Sequence, residues 1–157
     1  YFLAQLVGAL AAAGLLQALV GVSARAGSTY PVAGHPAGSA LAAEGLLTLG
    51  LVSVILGTAS GAQQVGLFGA LAVGSYIALA GLWAAPLTGA SMNPARTLGP
   101  DVVGADLHDW WVYVAGPAAG MVLAVVVAFV LRGPGGGRSG STAAQGMHSE
   151  ILRPEKD

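Results

Sequence analysis

Apolar residues fill this chain in four long blocks: residues 1–22, 39–59, 65–85 and 110–131. At 1.5 Å rise per residue, crossing the hydrocarbon of a bilayer takes roughly 20 apolar residues, so each block predicts a membrane-spanning helix. A soluble bundle of such helices would need charged outer faces. These blocks have none, and Glu44 is the one ionisable carboxylate inside them. Gln5 and Gln17 are the polar residues of the first block.

The breaks between blocks are equally legible. Residues 23–38 hold Arg25, Gly27, Pro31, Gly34, His35 and Pro36, which break or flank helices and predict a loop. Ser39 is expected to cap the second span, and residues 57–61 to form a short polar turn. Pro86, Leu87, Thr88 and Gly89 are expected to stop the third. Residues 93–103 then predict a helix of about three turns, too short to cross. Residues 104–109 form an acidic turn, after which Trp110, Trp111 and Tyr113 stand where an interfacial aromatic belt is expected. Residues 133–157, rich in Gly and Ser, cannot bury a core and are expected to be a disordered tail. The first block is too long for the apolar core of a signal peptide. It reads as a span in progress, which implies a fragment or a misplaced gene start.

Charge sets the expected orientation. Arg132 and Arg138 follow the last span, while Asp101, Asp106 and Asp109 precede it. The positive-inside rule puts the tail in the cytoplasm and the 86–93 loop outside, with Arg25 against the trend. Composition agrees with a membrane protein: 55% hydrophobic, 8% charged, mean hydropathy +0.73. Soluble domains carry about a quarter charged residues. Net charge of −1 gives no case for nucleic acid, and the absence of cysteine removes disulfides and thiolate metal sites. No enzyme chemistry and no cofactor is expected. The 25 glycines, about twice the usual share, suit close helix packing. Gly57 with Gly61, Ala70 with Gly74, and Gly116 with Gly120 are small-xxx-small pairs that mark such packing.

Three residues carry the chemistry. Asn93 followed by Pro94 and Ala95 is a strong helix start: Asn caps, and Pro fits the first turn. A helix N-terminus at membrane depth is tolerated only when buried in protein or lining a watery cavity. Asn93 could then cap with its oxygen and donate its amide into a pore. Arg96 is the one basic residue between Arg25 and Arg132 and opposes the helix dipole, so it suits a constriction that rejects cations. Its bland reading is an arginine snorkelling to the interface. Glu44 has no basic neighbour at helical spacing and must be neutral or accept several hydrogen bonds. Backbone N–H groups of the loop around residues 88–92 are the expected donors. A proton relay is its functional alternative, but no second intramembrane acid or histidine is present to take the proton. His35 and His108 lie in loops without a paired carboxylate and are read as solvated.

Residues 89–100, Gly-Ala-Ser-Met-Asn-Pro-Ala-Arg-Thr-Leu-Gly-Pro, resemble the second Asn-Pro-Ala loop of the major intrinsic proteins, the aquaporins and glycerol facilitators. Tyr1, Ala4, Gln5, Gly8 and Ala9 resemble the family's third span, Ala43-Glu44-Gly45 the start of its fourth, and residues 111–117 the start of its sixth. The resemblance implies an all-α membrane protein: a partial aquaporin-like channel of four transmembrane helices and one re-entrant half-helix. Residues 1–132 would form the channel part, with one complete repeat over 39–132. Two spans and a first Asn-Pro-Ala loop would be missing. Asn93, Pro94, Ala95 and Arg96 would then line the pore, braced by Glu44.

In water-selective members a histidine stands twelve residues before the loop asparagine. That position here is Gly81, and the loop position three before the asparagine is Ala90. Two small residues imply a wide filter, similar to the nodulin-26-like branch, which passes glycerol, urea and metalloid acids. Thr97 stands where glycerol facilitators carry aspartate, and Tyr113 where they carry proline. The expected function is passive passage of water and small neutral solutes, in a homotetramer embedded in the lipid bilayer of the plasma (inner) membrane. The alternatives are a strictly water-selective channel, a secondary transporter, or a non-conducting fragment.

Overall fold

The computed structural model describes residues 1–20, 27–59 and 66–133. They form five helices: α1 (Phe2–Val20), α2 (Ala37–Ala59), α3 (Gly66–Thr88), α4 (Pro94–Val103) and α5 (Val112–Arg132). Four are long and apolar enough to cross a membrane: α1, α2, α3 and α5. The ten-residue α4 rises about 15 Å, half the thickness of a typical hydrocarbon core. The expected tail beyond Gly133, and the orienting charges Arg25 and Arg138, lie outside the described residues.

Several boundaries differ from those the sequence predicts: residues 57–59, expected in a turn, are the last residues of α2, and the last span starts at Val112 and not at Trp110. Helix α2 begins at Ala37, so Ser39 is inside its first turn and does not cap it. The Pro36 carbonyl accepts instead from the Ser39 N–H (2.9 Å) and the Ser39 hydroxyl (2.7 Å). Pro36, with its fixed φ, sets the helix going from the position before it. Nor does Pro86 stop α3, which runs through it to Thr88. A proline inside a helix removes one backbone bond, and packing overrides that loss. The stop is Gly89, whose φ of +82° leaves the helical region while its N–H still bonds the Ala85 carbonyl at 2.9 Å. Trp110 and Trp111 fall in the turn before α5.

The closest packing joins α2 to α5. A Cβ added at Gly116 would lie 2.9 Å from the Leu41 carbonyl oxygen, and one at Gly120 would collide with the Gly45 carbonyl. Two α-helices approach this closely only through glycine. The same device seats α4 on α1, where a Cβ at Gly99 would meet the Ala9 backbone at 2.8 Å. The other predicted pairs behave differently. Gly57 and Gly74 have open space around the missing Cβ, and Gly61 lies outside the described residues. Helix α3 is tied to α2 by the Tyr76 hydroxyl, which donates to the Leu47 carbonyl at 2.9 Å. At the far end of α5, Arg132 donates to the Leu56 carbonyl at 3.0 Å.

Candidate pore site

The site is the loop between α3 and α4, and its shape is unfavourable for ordinary residues. Gly89, Ala90 and Met92 all have positive φ (82°, 47° and 52°). For the two non-glycine residues this costs on the order of 1–3 kcal/mol each unless the surroundings enforce it. Glu44 enforces it. Its side chain is fully buried. One carboxylate oxygen accepts from the Ser91 N–H at 2.9 Å and the Thr88 hydroxyl at 2.7 Å. The other accepts from the Met92 N–H at 2.8 Å. Three hydrogen bonds converging on one buried side chain together hold a strained loop. Ala90 N–H donates in turn to the Thr88 hydroxyl at 3.2 Å. The Tyr113 hydroxyl, from the first turn of α5, donates to the Thr88 carbonyl at 2.8 Å.

The loop delivers the chain to Asn93 in extended conformation (φ −152°, ψ 112°). The Asn93 side-chain oxygen accepts from the Ala95 N–H at 2.9 Å, and Pro94 occupies the first helical position. The amide NH₂ of Asn93 is thereby turned away from the helix it caps, and Asn93 is exposed. Arg96, one turn on, is exposed as well. Ala95, Thr97, Gly99 and Asp101 take the buried positions of α4. One face of a half-length helix therefore presents an amide and a guanidinium, and the other is packed into the protein.

Gly81, on α3, is partly exposed, and a Cβ added there would meet nothing within 4 Å. Ala90 is different. It belongs to one buried apolar cluster with Leu47, Ala80, Ala84 and Met92, and is 8% exposed. Within this chain Arg96 is exposed, Gly81 is partly exposed and Ala90 is buried. His35 and His108 are exposed in loops, and His108 pairs with Asp109 at 3.0 Å. Among the described residues no group of three His, Cys, Asp or Glu could hold a metal ion.

Several supporting residues escape a reading of the sequence alone. The Ser91 and Met92 N–H groups are donors of the expected kind, whereas the Thr88 hydroxyl on Glu44 and the Tyr113 hydroxyl on the Thr88 carbonyl are not anticipated. Ser91 Oγ also donates to the Asn93 carbonyl (2.9 Å) and shares a hydrogen bond with the Thr97 hydroxyl (2.7 Å). The Thr97 hydroxyl is shared with Thr29, which arrives from the loop before α2, 68 residues away. No linear signal marks that pair.

A family model described as "Major intrinsic protein" matches residues 1–128. Aquaporin NIP1-1 of Oryza sativa subsp. japonica is 43% identical over 126 residues, covering 78% of this chain and 43% of the relative. A probable aquaporin NIP-type of Nicotiana alata is 38% identical over 133 residues, covering 84% of this chain and 48% of the relative. Aquaporin NIP2-3 of Zea mays is 38% identical over 120 residues, covering 76% and 39% respectively. The chain spans less than half the length of these curated relatives.

Proposed function

We propose, from the premise that this chain belongs to the major intrinsic protein family, that it builds the Asn93 half of a passive pore for water and small neutral solutes. The observation that carries this reading is the clamp on Glu44, which spends a buried carboxylate on holding a strained loop. The product of that strain is an exposed Asn93 amide and an exposed Arg96 at the start of a half-length helix. The Asn93 NH₂ would donate to a passing hydroxyl or water oxygen. Arg96 and the positive end of the α4 dipole would repel cations and orient water oxygens towards the helix. An ion would also have to shed its hydration with little to replace it.

A wide filter is read from the absence of a side chain at Gly81, where a Cβ would meet nothing of this chain within 4 Å. Glycerol, urea and undissociated metalloid acids are the solutes proposed. Their hydroxyl or amide groups would meet Asn93 and Arg96 while their bulk occupied the room beside Gly81. Residues 1–132 would act as the channel part of a homotetramer in the plasma (inner) membrane, with the residues after 133 in the cytoplasm.

The test is stopped-flow light scattering of proteoliposomes containing the complete gene product, with an impermeant osmolyte set against glycerol. Shrinkage followed by glycerol re-entry is expected. Gly81→His puts a side chain into the filter and is expected to remove glycerol re-entry while water efflux continues. Water efflux with no glycerol re-entry in the parent protein would place it among strict water channels. No efflux at all would favour a non-conducting chain.

A further inference from the structure

Among the described residues Glu44 is one of two fully buried carboxylates, and the pore reading leaves the second, Asp101, without a task. Asp101 sits on the packed face of α4, one turn beyond Thr97 and outside the four long helices. Neither carboxylate oxygen makes a hydrogen bond of good geometry among the described residues, and the Ser28 side chain is the one polar group close enough to ease its burial. A buried carboxylate in that condition is costly when ionised and cheap when protonated.

Its position is what gives the cost a consequence. Residues 27–32, ahead of α2, run across α4 and the pore loop and are fastened to both. Thr29 shares a hydrogen bond with Thr97. The Val32 N–H donates to the Leu87 carbonyl at 2.9 Å. A Cβ at Gly89 would lie 2.7 Å from the Thr29 methyl carbon, and one at Gly27 would lie 3.5 Å from Pro100. Asp101 lies on the same face as Thr97, in reach of Ser28. We propose that Asp101 is a proton-operated latch: protonated, it lets residues 27–32 seat on the pore half-helix, and ionised, it loosens them.

The charged and titratable groups around Asp101 are few. Helix α1, which seats α4, has no ionisable side chain between Phe2 and Val20. From the turn after α4 come Asp106, whose N–H donates to the Asp101 carbonyl at 3.0 Å, and the His108–Asp109 pair. From α5 comes Tyr113, committed to Thr88. Arg96 is on the exposed face of α4 itself. Tyr30 follows Thr29 in the strap. Burial, with a smaller push from Asp106, raises the Asp101 carboxyl from 3.8 to about 6, and the Ser28 side chain offsets part of the rise. An acid whose pKa is higher when docked binds more protons in the docked state. Docking is therefore favoured at low pH, weakens as pH climbs from 3.8 through about 6, and levels off above that.

Amide hydrogen exchange on the complete gene product in lipid reads this directly, because the Val32 N–H is bonded only while the strap is seated. Its protection, corrected for intrinsic exchange, is expected to fall by up to about tenfold per pH unit between pH 4 and 6 and then flatten. Asp101→Asn should keep the acid-side protection at every pH. Ser28→Ala should move the step to higher pH. A flat profile in the parent protein, or a step that survives Asp101→Asn, would overturn the proposal. So would a step that disappears in His108→Gln or His35→Gln. The latch bears on the pore reading by regulating its mouth, yet the two fail separately. Exchange can show the step in a protein that conducts nothing, and a conducting pore can show no step.

Discussion

Glu44 is surrounded by donors and nothing else: two backbone N–H groups and a hydroxyl. Glutamine has the same shape but must turn its NH₂ towards one of those donors. Glu44→Gln is therefore expected to cost about 2 kcal/mol, the net worth of a hydrogen bond to a charged group, seen as a lower Tm in detergent. Water flow should fall with it, because Ala90 and Met92 would be free to leave their left-handed conformations. That Glu44 would need donors was legible, since no cation stands near it at helical spacing. That Thr29 would be joined to Thr97 was not, since nothing in either neighbourhood points across 68 residues. Asp101 was counted only among the orienting charges. Its burial is decided by the two segments that cover it.

At the scale of the element, glycine placement separates packing from mere permissiveness. Gly120→Ala would drive a methyl into the Gly45 carbonyl and force α2 and α5 apart. Overpacking of this kind costs about 1–3 kcal/mol. Gly74→Ala meets nothing within 4 Å and is expected to be neutral or to stabilise by a few tenths of a kcal/mol. Thermal unfolding of the two variants side by side checks this, and equal losses would mean that the α2–α5 contact is not the tight one. Both residues belong to the same small-xxx-small pattern, so the sequence could not tell them apart. The pattern is a licence for close approach, and only the partner helix decides which licence is used. Helix ends show the same division. Gly89 ends α3 where the run through Pro86 to Gly89 predicted a stop, but Pro86 itself is absorbed into the helix.

Over the whole molecule, large apolar side chains are exposed along α1, α3 and the second half of α5, including Leu3, Val7, Leu82, Trp83, Val126 and Phe129. Lipid and neighbouring subunits are the proposed cover for these faces. Chemical crosslinking of the complete gene product in native membranes is expected to give a ladder ending at four subunits. A ladder ending at one would remove the tetramer. By itself the sequence determined the number of long apolar helices, the half-length helix between the last two, the Asn93 cap and the need to satisfy Glu44. Those follow from local physics: apolar length against bilayer thickness, Asn-Pro at a helix start, a carboxylate that must have donors. Only the tertiary structure decided that Ala90 joins a buried cluster with residues of α2 and α3. It alone joined residues 27–32 to α4 and buried Asp101 with Ser28 in reach. Such outcomes depend on which distant segments share a surface, and contacts between distant segments leave no periodicity in a single chain to be read.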